Sequence, residues 1–394
     1  MITKQNKLQI GLVLPNIPAY SETFFNSKIK GLQENGFEVI IFSKGKLKSK
    51  HSSCKTVFAH DFSIKLTLIS ELFKIFKNCL FNLKPVLKLY KLNKKDQFSS
   101  KSAYKNVLIN SYILPYKLDW LHFGFGTMAL QSENVAEAIG AKMAVSFRGF
   151  DFYVYPIKFQ NCYKQLFSKK VKYHLLSNAM KEELIKHGIL PEMIHKIAPA
   201  IDCEFFKNQT NYQESSQIQF ITVSRLHWIK GLEYTLEAFS ILKNNNILFH
   251  YTIVGDGAEK EKLMFMVQQL GLTECVSFIG NISHDEVKSN LEKSSYYLQY
   301  SLQEGFCNAV LEAQSMGLLC IVSDADGLKE NVLNNQTGWV VSKRNPSLLA
   351  QKITEVINLN ENEKLKIKEN AMLRVKKEFN LANQNKSFKS FYLD

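Results

Sequence analysis

The sequence lacks several features that mark secreted or membrane-spanning proteins. Its seven cysteines are an odd number without any C-x-x-C spacing, so reduced cytosolic thiols are the expectation. It contains no run of about 18 apolar residues, so no membrane-spanning helix is predicted. The opening residues, MITKQNKLQIGLVLPN, hold only a short apolar run that ends in turn residues. They predict a first strand rather than a signal peptide, and the predicted location is cytoplasmic.

Acidic residues are scarce in the first half of the chain. Residues 1–200 hold 30 Lys and Arg against 13 Asp and Glu, a net charge of +17, whereas residues 201–394 hold 20 against 23, a net charge of −3. The 394 residues, of which 45% are hydrophobic, suffice for two or three domains with cores of their own. A basic half joined to a near-neutral half predicts two domains with different partners.

Strands and helices alternate along both halves. In the second half QIQFITVSRL, FHYTIVGDG, CVSFIGN, SYYLQYS and LLCIVSD predict strands, with helical patterns between them. Continuous apolar strands that alternate with helices favour a parallel sheet covered on both faces. We therefore predict two doubly wound α/β domains, residues 1–205 and 206–377, with a last helix, about 378–394, that can pack back on the first domain.

One lysine-rich segment differs from this pattern. Residues 44–105 contain 15 lysines and three acidic residues. On a helical wheel of ~3.6 residues per turn, its lysines and its apolar residues favour opposite sides. The lysines are Lys74, Lys77 and Lys84, and the apolar residues are Leu72, Phe76, Leu80 and Leu83. This pattern predicts peripheral contact with an anionic membrane, with a solvated surface helix as the alternative. No nucleic-acid-binding motif accompanies the lysines, so nucleic acid is not a predicted partner.

Two cations follow the predicted strand that opens the second domain. In VSRLHWIKG, Arg225 and Lys230 come just after the apolar run. Ligands of open α/β sheets bind beyond the carboxyl ends of the strands. Paired cations there suit a diphosphate, whose leaving-group charge must be neutralised. Two solvated surface cations are the alternative.

Glycines follow or end the next two predicted strands. In IVGDG, Gly255 and Gly257 permit a tight turn or a close approach of the backbone to a ligand. The motif is not a full G-x-G-x-x-G, because Lys260 occupies the last place. In FIGN, the segment around Ile279 can present backbone groups to a nucleotide base.

The stretch EGFCNAVLEA combines a chain break with the start of a helix. Its helix is predicted to begin near Asn308, where unpaired amides and the positive end of the helix dipole suit a phosphate. The residues at this predicted phosphate contact are Gly305, Phe306, Cys307, Asn308 and Ala309. Glu304 lies just outside the helix and could hold sugar hydroxyls, and Glu312 lies one turn inside, where a carboxylate can accept hydrogen bonds from ribose. A helix-start acid plus a buried, satisfied glutamate is the alternative.

These motifs come in a defined order, each at a strand end, and SDADGLKENV follows them. In that order and spacing, residues 217–345 closely resemble the nucleotide-binding domain of family 4 of the retaining glycosyltransferases. That family has the GT-B fold, in which two doubly wound Rossmann-like domains face each other across a cleft. The resemblance implies that Glu304 contacts the donor sugar and Glu312 the ribose, while Arg225 and Lys230 hold the diphosphate.

The first half resembles the same family more loosely. PAYSETFFNSKIKGLQENGFEV is similar to the first loop and helix of enzymes that build bacterial exopolysaccharide and lipopolysaccharide. The resemblance implies that Ser21, Glu22 and Thr23 face the cleft on the acceptor side. HFGFGTMA, which begins at His122, and SFRGFDFY, which contains Asp151, are similar to that group as well.

One position departs from the family pattern. Many members carry His-Gly-x-Asp where this chain has Arg148 followed by Gly-Phe-Asp. The family's histidine usually lies beside the anomeric centre of the donor. Arginine is not a base at neutral pH, but it stabilises phosphate or an acidic sugar. Arg148 therefore has an electrostatic role, or His122 supplies the neutral imidazole, or this position is not catalytic; all three stay open. For His122, a histidine of the core or of a loop is the alternative.

The resemblance leads to a predicted reaction without a metal or other cofactor. Asp324-Ala325-Asp326 spells D-x-D, a metal–nucleotide motif of the other major glycosyltransferase fold, but its surroundings match the family-4 loop instead. The predicted protein transfers a sugar from a UDP- or GDP-sugar to a glycan or lipid-linked acceptor in bacterial cell-surface polysaccharide synthesis. The alternatives are a non-catalytic nucleotide-sugar-binding protein and a GT-B-fold sugar-nucleotide epimerase.

Overall fold

The computed structural model of the chain describes residues 7–18, 23–45, 54–61, 68–208 and 217–394. Contacts between Cα atoms divide the chain into two compact units. The first unit consists of Met1–Leu175, Met180–Ile197 and Asn385–Asp394, and the second of Leu176–Ala179 and Ala198–Gln384. Each unit is built on its own sheet. The domain boundary at 205/206 that the sequence indicated stays a prediction.

The first unit contains a seven-stranded sheet in which every pair of neighbouring strands is parallel. Its strands are β1 (Gln9–Leu14), β2 (Glu38–Ser43), β3 (Lys55–Phe58), β4 (Trp120–Phe123), β5 (Lys142–Ser146), β6 (Val171–Leu175) and β7 (Ile194–Lys196). Their order, β3-β2-β1-β4-β5-β6-β7, reverses direction between β1 and β4, as in dinucleotide-binding folds. The sequence-based prediction of a parallel sheet is confirmed here.

Helices connect these strands because parallel strands need crossover connections. They are α1 (Thr23–Glu34), α2 (Leu68–Phe81), α3 (Leu83–Lys95), α4 (Ser100–Asn110), α5 (Gly126–Ala129), α6 (Val135–Ile139), α7 (Tyr155–Lys158), α8 (Lys164–Phe167) and α9 (Asn178–Lys186). A π-helical turn, Phe150–Val154, precedes α7, and a 3₁₀ turn, Pro191–Met193, precedes β7. These connections cover a sheet whose central strands are almost fully buried.

The C-terminal part of the chain completes the core of the first unit. Phe388, Phe391 and Tyr392 are buried among apolar side chains of β1, β2 and α1. The Trp120 indole Nε1 donates a hydrogen bond to the backbone oxygen of Tyr392 at 3.0 Å. These partners are about 270 positions apart in sequence, so the last helix is part of the core of the first unit.

The second unit repeats the same plan with six parallel strands. Its strands are β8 (Ile218–Val223), β9 (Phe249–Val254), β10 (Val276–Gly280), β11 (Tyr296–Gln299), β12 (Leu319–Ser323) and β13 (Trp339–Val341). Their order, β10-β9-β8-β11-β12-β13, reverses between β8 and β11. The carboxyl ends of these two strands therefore mark the position where such a sheet binds its ligand.

Helices again cover the second sheet. They are α10 (Leu232–Asn244), α11 (Lys260–Gln269), α12 (His284–Glu292), α13 (Asn308–Ser315), α14 (Leu328–Asn331), α15 (Pro346–Ile357), α16 (Glu361–Glu378) and α17 (Leu381–Leu393), the last of which continues into the first unit. A capping box at Ser283 and Glu286 begins α12, which satisfies two otherwise unpaired amides. Among the helices of the described residues, none has both the length and the apolar character needed to span a membrane.

Candidate active site

Two loops flank the point where the second sheet reverses its strand order. The first follows β8 and ends in a 3₁₀ turn, Trp228–Lys230. The second follows β11 and leads through Glu304 to α13. The Leu302 amide donates to the Ile229 carbonyl oxygen at 2.7 Å, so the two loops are hydrogen-bonded to each other. This contact brings together residues 74 positions apart, Lys230 and Glu304.

Lys230 and Glu304 form an ion pair at this position. The Lys230 Nζ donates to Glu304 Oε2, and the Ser301 hydroxyl donates to the same oxygen at 3.3 Å. Both side chains are largely enclosed, with 12% and 14% of their surface exposed. Burial alone would lower the pKa of Lys230, but the Glu304 carboxylate outweighs it and raises that pKa above its usual value. The ammonium is therefore charged, and in the ligand-free protein a carboxylate neutralises it.

The second predicted phosphate-binding cation has a different environment. Arg225 lies two residues after the end of β8 and is exposed. Within the described residues, neither an ion pair nor a hydrogen bond occupies its guanidinium. Its positive charge opposes the raised pKa of Lys230 and, after the larger effect of burial, helps to lower the pKa of His227. An incoming anion can therefore meet Arg225 without displacing a partner.

The glycine turn after β9 packs directly against the loop after β8. Gly255 has a φ of +132°, and a Cβ there would lie 1.9 Å from the Ser224 carbonyl oxygen. A Cβ on Gly257 would lie 2.2 Å from the Leu226 carbonyl oxygen. Glycine is thus required at both positions by backbone contact. The structure accounts for these glycines without a ligand, and their predicted role in nucleotide binding stays a prediction.

The predicted base-binding segment ends β10. Ile279 is 44% exposed, and the register of β10 against β9 is irregular on either side of it. Gly280, with φ +82°, accepts a hydrogen bond from the Gly255 amide at 2.8 Å. The exposed Ile279 side chain therefore lies next to the glycine turn, at the same edge of the sheet as the ion pair.

The helix that the sequence predicted after the glycine begins at Asn308, as expected. Gly305, Phe306 and Cys307 are buried, whereas Asn308 and Ala309 are half-buried. Burial raises the pKa of the Cys307 thiol to about 12, so this cysteine is a neutral packing residue.

A residue that the sequence did not indicate fixes this helix start. The Asn331 side chain accepts a hydrogen bond from the Cys307 amide at 3.0 Å and donates one to the Cys307 carbonyl oxygen at 2.9 Å. The Gly327 amide donates to the Glu304 carbonyl oxygen at 2.9 Å. The loop after β12 and the short helix α14 thus hold the two ends of the Glu304–Cys307 turn. An asparagine at the end of a short helix gives no sequence signal for such a role.

Glu312 lies in the second turn of α13, with 8% of its surface exposed. Among the described residues, neither a hydrogen bond nor an ion pair reaches its carboxylate. Burial raises the pKa of Glu312 to about 7. An ionised carboxylate without a partner in an enclosed position raises the free energy of the folded state. A ligand that donates hydrogen bonds to it would offset that cost.

The predicted site residues of the first unit belong to a different kind of environment. His122, on β4, has no exposed surface. Its Nε2 lies 2.7 Å from the Ser146 hydroxyl, which in turn lies 2.7 Å from His174 Nδ1. His174 Nε2 faces the Ile197 carbonyl oxygen at 3.0 Å, and the Tyr392 hydroxyl contacts His122 Nδ1. The structure places His122 inside a buried polar chain rather than at an open surface.

The donor and the acceptor of each hydrogen bond in this buried network can be assigned from the end at Ile197. The Ile197 oxygen only accepts, so His174 donates from Nε2 and accepts from the Ser146 hydroxyl at Nδ1. Ser146 then accepts from His122 Nε2, and His122 Nδ1 accepts from the Tyr392 hydroxyl. Burial holds the pKa of both histidines well below the usual value. Both imidazoles are neutral, and every ring nitrogen has a partner.

Arg148 is held by aromatic rings. Its guanidinium carbon lies 3.7 Å from the ring centroid of Phe24 and 4.9 Å from that of Phe25, both on α1, a favourable cation–π arrangement. Asp151 accepts hydrogen bonds from the Arg148 amide at 2.7 Å and from the Gly126 amide at 2.5 Å. Asp151 is buried, which raises its pKa to about 7. Its carboxylate joins the loops after β4 and β5.

The remaining predicted residues belong to the sequence that leads into α1 and to the D-x-D sequence. Ser21 and Glu22 lie outside the described residues, and Thr23 begins α1. In the D-x-D sequence, Asp324 accepts from the Lys343 amide at 3.0 Å and Asp326 from the Gln303 side chain at 2.8 Å. Nowhere in the described ranges do three or more His, Cys, Asp or Glu side chains form a group that could hold a metal ion.

Comparison with known proteins gives a family match for the second half. Residues 204–374 match the family Glycosyl transferases group 1. Over 391 residues the chain is 24% identical to the "Putative colanic acid biosynthesis glycosyltransferase WcaL" of Escherichia coli (strain K12), covering 95% of this chain and 96% of that protein. Over 355 residues it is 25% identical to the "Amylovoran biosynthesis glycosyltransferase AmsK" of Erwinia amylovora, covering 84% and 86%.

Solved structures show the fold of both units. A glycosyltransferase from Rickettsia africae ESF-5 superposes with a TM-score of 0.73 at 22% identity, covering 98% of each chain. Anabaena Alr3699/HepE, solved in complex with UDP, superposes with a TM-score of 0.71 at 15% identity, covering 97% of this chain and 98% of that one. The predicted GT-B fold, with two Rossmann-like domains, is confirmed by these likenesses and by the two parallel sheets.

Proposed function

Because residues 204–374 form a Glycosyl transferases group 1 domain, we propose that this glycosyltransferase retains the configuration at the anomeric carbon. It transfers a sugar from a UDP- or GDP-sugar to a glycan or lipid-linked acceptor in bacterial cell-surface polysaccharide synthesis. The names of WcaL and AmsK, which refer to colanic acid and amylovoran biosynthesis, support the polysaccharide. The UDP bound to HepE supports a nucleotide donor.

The observation that carries this proposal is the Lys230–Glu304 pair beside the start of α13. A donor diphosphate would take Arg225 and Lys230 as its cations, together with the first amides of α13, at Asn308 and Ala309, which have no partner within the helix. Glu304, released from Lys230, would then accept hydrogen bonds from sugar hydroxyls. Transfer through these groups needs no metal ion. Front-side attack assisted by the leaving phosphate and double displacement both remain compatible with this arrangement.

Nucleotide release provides the direct test of this proposal. Purified chain is incubated with UDP- and GDP-sugars, with EDTA, in the presence and absence of bacterial lipid extract. Release of nucleotide that depends on the extract is the expected result, with label appearing in the lipid or glycan fraction. Binding without turnover in every condition would support the non-catalytic alternative, which the arginine at position 148 favours. Conversion of the donor sugar without any acceptor would support the epimerase.

Glu312 gives a pH-dependent prediction for nucleotide binding. Its pKa in the free protein is about 7, and ribose hydroxyls would donate to the ionised form. Binding therefore releases a proton when the carboxyl is protonated, so affinity rises with pH and levels off above that pKa. We expect UDP or GDP to bind about tenfold more weakly at about pH 6 than at about pH 8. Isothermal titration calorimetry in buffers of different ionisation enthalpy would detect the released proton.

Glu312→Gln is the matched variant for this experiment. It keeps the size and shape of the side chain but replaces one acceptor oxygen with an amide donor and cannot ionise. Nucleotide affinity of this variant should be lower than that of the native protein by about 10- to 100-fold and nearly independent of pH. Native affinity that stays constant across this pH range would remove Glu312 from the nucleotide site.

We also propose that the lysine-rich segment contacts an anionic membrane at the inner face of the cell membrane. Helix α2 carries a stripe of exposed apolar side chains. The stripe consists of Ile69, Leu72, Phe73, Phe76 and Leu80, which are 47–81% exposed. Leu83 and Leu87 on α3 are each 55% exposed. Exposed apolar surface with lysines on its flank is typical of helices that lie in the membrane interface.

A further inference from the structure

Helix α2 presents a second surface beside its apolar stripe. On a wheel of about 100° per residue, Phe73 marks one edge of the stripe, Lys77 lies about 40° from it, and Lys74 about 60° further on. Glu71 and Ile75 are buried against the first unit. The two lysines therefore lie between the uncovered stripe and the buried face of the helix.

A cavity opens on this lysine side. It has a volume of about 490 Å³, within the ~300–1,000 Å³ common for small-molecule sites. It lies between the end of β3, the side of α2 and the segment that follows α4. Its lining residues are Val57, Phe58, Ala59, His60, Glu71, Lys74, Lys77, Asn78, Tyr112, Pro115 and Tyr116. None of them belongs to the site built on the second sheet.

The polar groups in the cavity wall are arranged by a buried hydrogen-bonded chain. Glu71 Oε2 lies 3.0 Å from His60 Nδ1, and Ser111 Oγ lies 2.9 Å from His60 Nε2. The Lys74 Nζ donates to the other Glu71 oxygen at 2.9 Å. Burial would raise the pKa of Glu71, but the hydrogen bonds and charges of Lys74 and His60 outweigh it and lower that pKa. Each oxygen of the Glu71 carboxylate thus has a hydrogen-bond partner, and the carboxylate orients Lys74 and His60.

The side chains that line the cavity carry a net positive charge. Glu71 offsets Lys74, while Lys77 has no acidic partner among the described residues. The Lys55 Nζ lies 5.0 Å from the ring centroid of Tyr116, itself part of the wall. Asn78 and the hydroxyls of Tyr112 and Tyr116 add groups that can bond neutral oxygen atoms. Such a wall suits an anion that carries hydroxyl or ester oxygens.

We propose that this cavity binds the phosphate-bearing head group of an anionic lipid while the apolar stripe of α2 enters the acyl region. Lys74 and Lys77 contact the phosphate, and Asn78 and the tyrosine hydroxyls contact the glycerol or sugar attached to it. The cavity and the apolar stripe share an edge, so one lipid molecule can place its head group in the cavity and its acyl chains along the stripe. The inference rests on the proposed membrane contact and is independent of sugar transfer.

Flotation of the full chain with vesicles tests the head group separately from surface charge. One vesicle contains phosphatidylcholine with phosphatidylglycerol, and the other contains phosphatidylcholine with enough oleate to give the same surface potential. We expect binding to phosphatidylglycerol vesicles to be about tenfold tighter. Lys74→Gln/Lys77→Gln should abolish this preference. The matched control, Lys84→Gln/Lys91→Gln, removes two charges outside the cavity and should weaken binding to both vesicles alike.

Two further variants separate the cavity from the stripe and guard against misfolding. Ala59→Phe fills the cavity without changing charge and should also remove the preference for phosphatidylglycerol. Leu72→Ser/Phe76→Ser should abolish vesicle binding, yet glycerol phosphate should still protect the chain against thermal unfolding more than chloride of equal ionic strength. Nucleotide affinity, measured in parallel, should equal the native value in all variants. A failure of the lipid-binding inference is therefore distinguishable from a failure of the proposed function.

Three results would overturn the proposal. The first is equal binding of the native chain to both vesicles, which would indicate diffuse attraction only. The second is that Lys74→Gln/Lys77→Gln and the control Lys84→Gln/Lys91→Gln lose the preference for phosphatidylglycerol vesicles to the same extent. The third is protection by inorganic phosphate that equals protection by glycerol phosphate, which would assign a free-phosphate site instead of a lipid head group.

Discussion

Replacing Glu304 by glutamine is expected to lower the rate of sugar transfer by about 10²- to 10³-fold while leaving nucleotide binding intact. The carboxylate lies at the point where the second sheet reverses its strand order, on a turn held by Gly327 and Asn331. Glutamine preserves the shape of the side chain, so the turn should keep its conformation. What the variant loses is the negative charge next to Lys230.

The ion pair determines how nucleotide affinity should respond to this change. In the native protein the Lys230 ammonium is neutralised by Glu304, and a diphosphate must compete with that carboxylate. In Glu304→Gln the competition disappears, so UDP or GDP should bind as tightly as in the native chain or up to about tenfold more tightly. Turnover is therefore predicted to fall, while product affinity stays at the native value or rises.

Steady-state kinetics and calorimetry on two more variants complete this test. Glu355→Gln, an exposed glutamate that pairs with a lysine on α15, is the matched control and should match the native chain in both measurements. Lys230→Met should weaken nucleotide binding and leave a largely enclosed carboxylate without its cation. If Glu304→Gln keeps native turnover, or if it loses nucleotide affinity as Lys230→Met does, Glu304 is a counterion only.

The parts of this site that could be predicted from sequence depend on local pattern. Continuous apolar strands such as β12, buried along its whole length, predict a parallel sheet, and the ends of its strands predict where polar ligand-binding residues gather. The break at Gly305 predicts the start of α13 because a glycine before an apolar periodic run is a local signal. The local pattern is therefore enough to identify Glu304 and Glu312 as candidate site residues.

The other features depend on contacts between residues far apart in sequence, which no local sequence pattern indicates. Asn331 binds the backbone of Cys307 across 24 positions, and Tyr392 meets His122 across 270. A histidine in an apolar strand could equally face a cleft or a core, and here it faces a core. Lys28 stands in a helix whose neighbouring lysine is exposed, so nothing in the sequence separates the buried lysine from the solvated one.

Lys28 leads to the second large expected effect, on stability. Its side chain is almost fully buried, with the Nζ 3.5 Å from each ring nitrogen of His122 and 4.3 Å from the ring centroid of Phe388. Within the described residues, no carboxylate pairs with it. Burial, together with the charge of Arg148, holds the pKa of Lys28 well below its usual value. We expect Lys28→Met to raise the stability of the first unit at neutral pH.

The sign of the pH dependence follows from proton binding. Between the lowered folded pKa of Lys28 and about pH 10.4, the unfolded chain binds a proton that the folded chain lacks. Stability therefore rises with pH in that window by up to about 1.4 kcal/mol per pH unit. His122 and His174, whose pKa is also lowered, remove stability as pH falls below about 6.5. Asp151, with a pKa of about 7, acts oppositely, lowering stability as pH rises through the acid range.

Lys28→Met isolates the alkaline part of this dependence. The thioether can pack on the Phe388 ring, and the variant has no group that titrates at this position. The rise in stability with pH between the lowered pKa of Lys28 and about pH 9.5 should therefore become flatter in the variant, while the loss of stability below about pH 6.5 persists. Tyr392, whose pKa is raised, titrates only above this window.

Denaturant unfolding followed by Trp120 fluorescence measures the first unit directly. Trp120 packs against Phe391 and Tyr392, and Trp228→Phe and Trp339→Phe remove the signals of the second unit. Lys30→Met is the matched control, since Lys30 lies on the same helix with 79% of its side chain exposed. It should leave both stability and its pH slope unchanged. A Lys28→Met chain that is less stable at pH 7 and keeps the native slope would show that Lys28 is a charged, satisfied residue, and that the buried histidines face a cation.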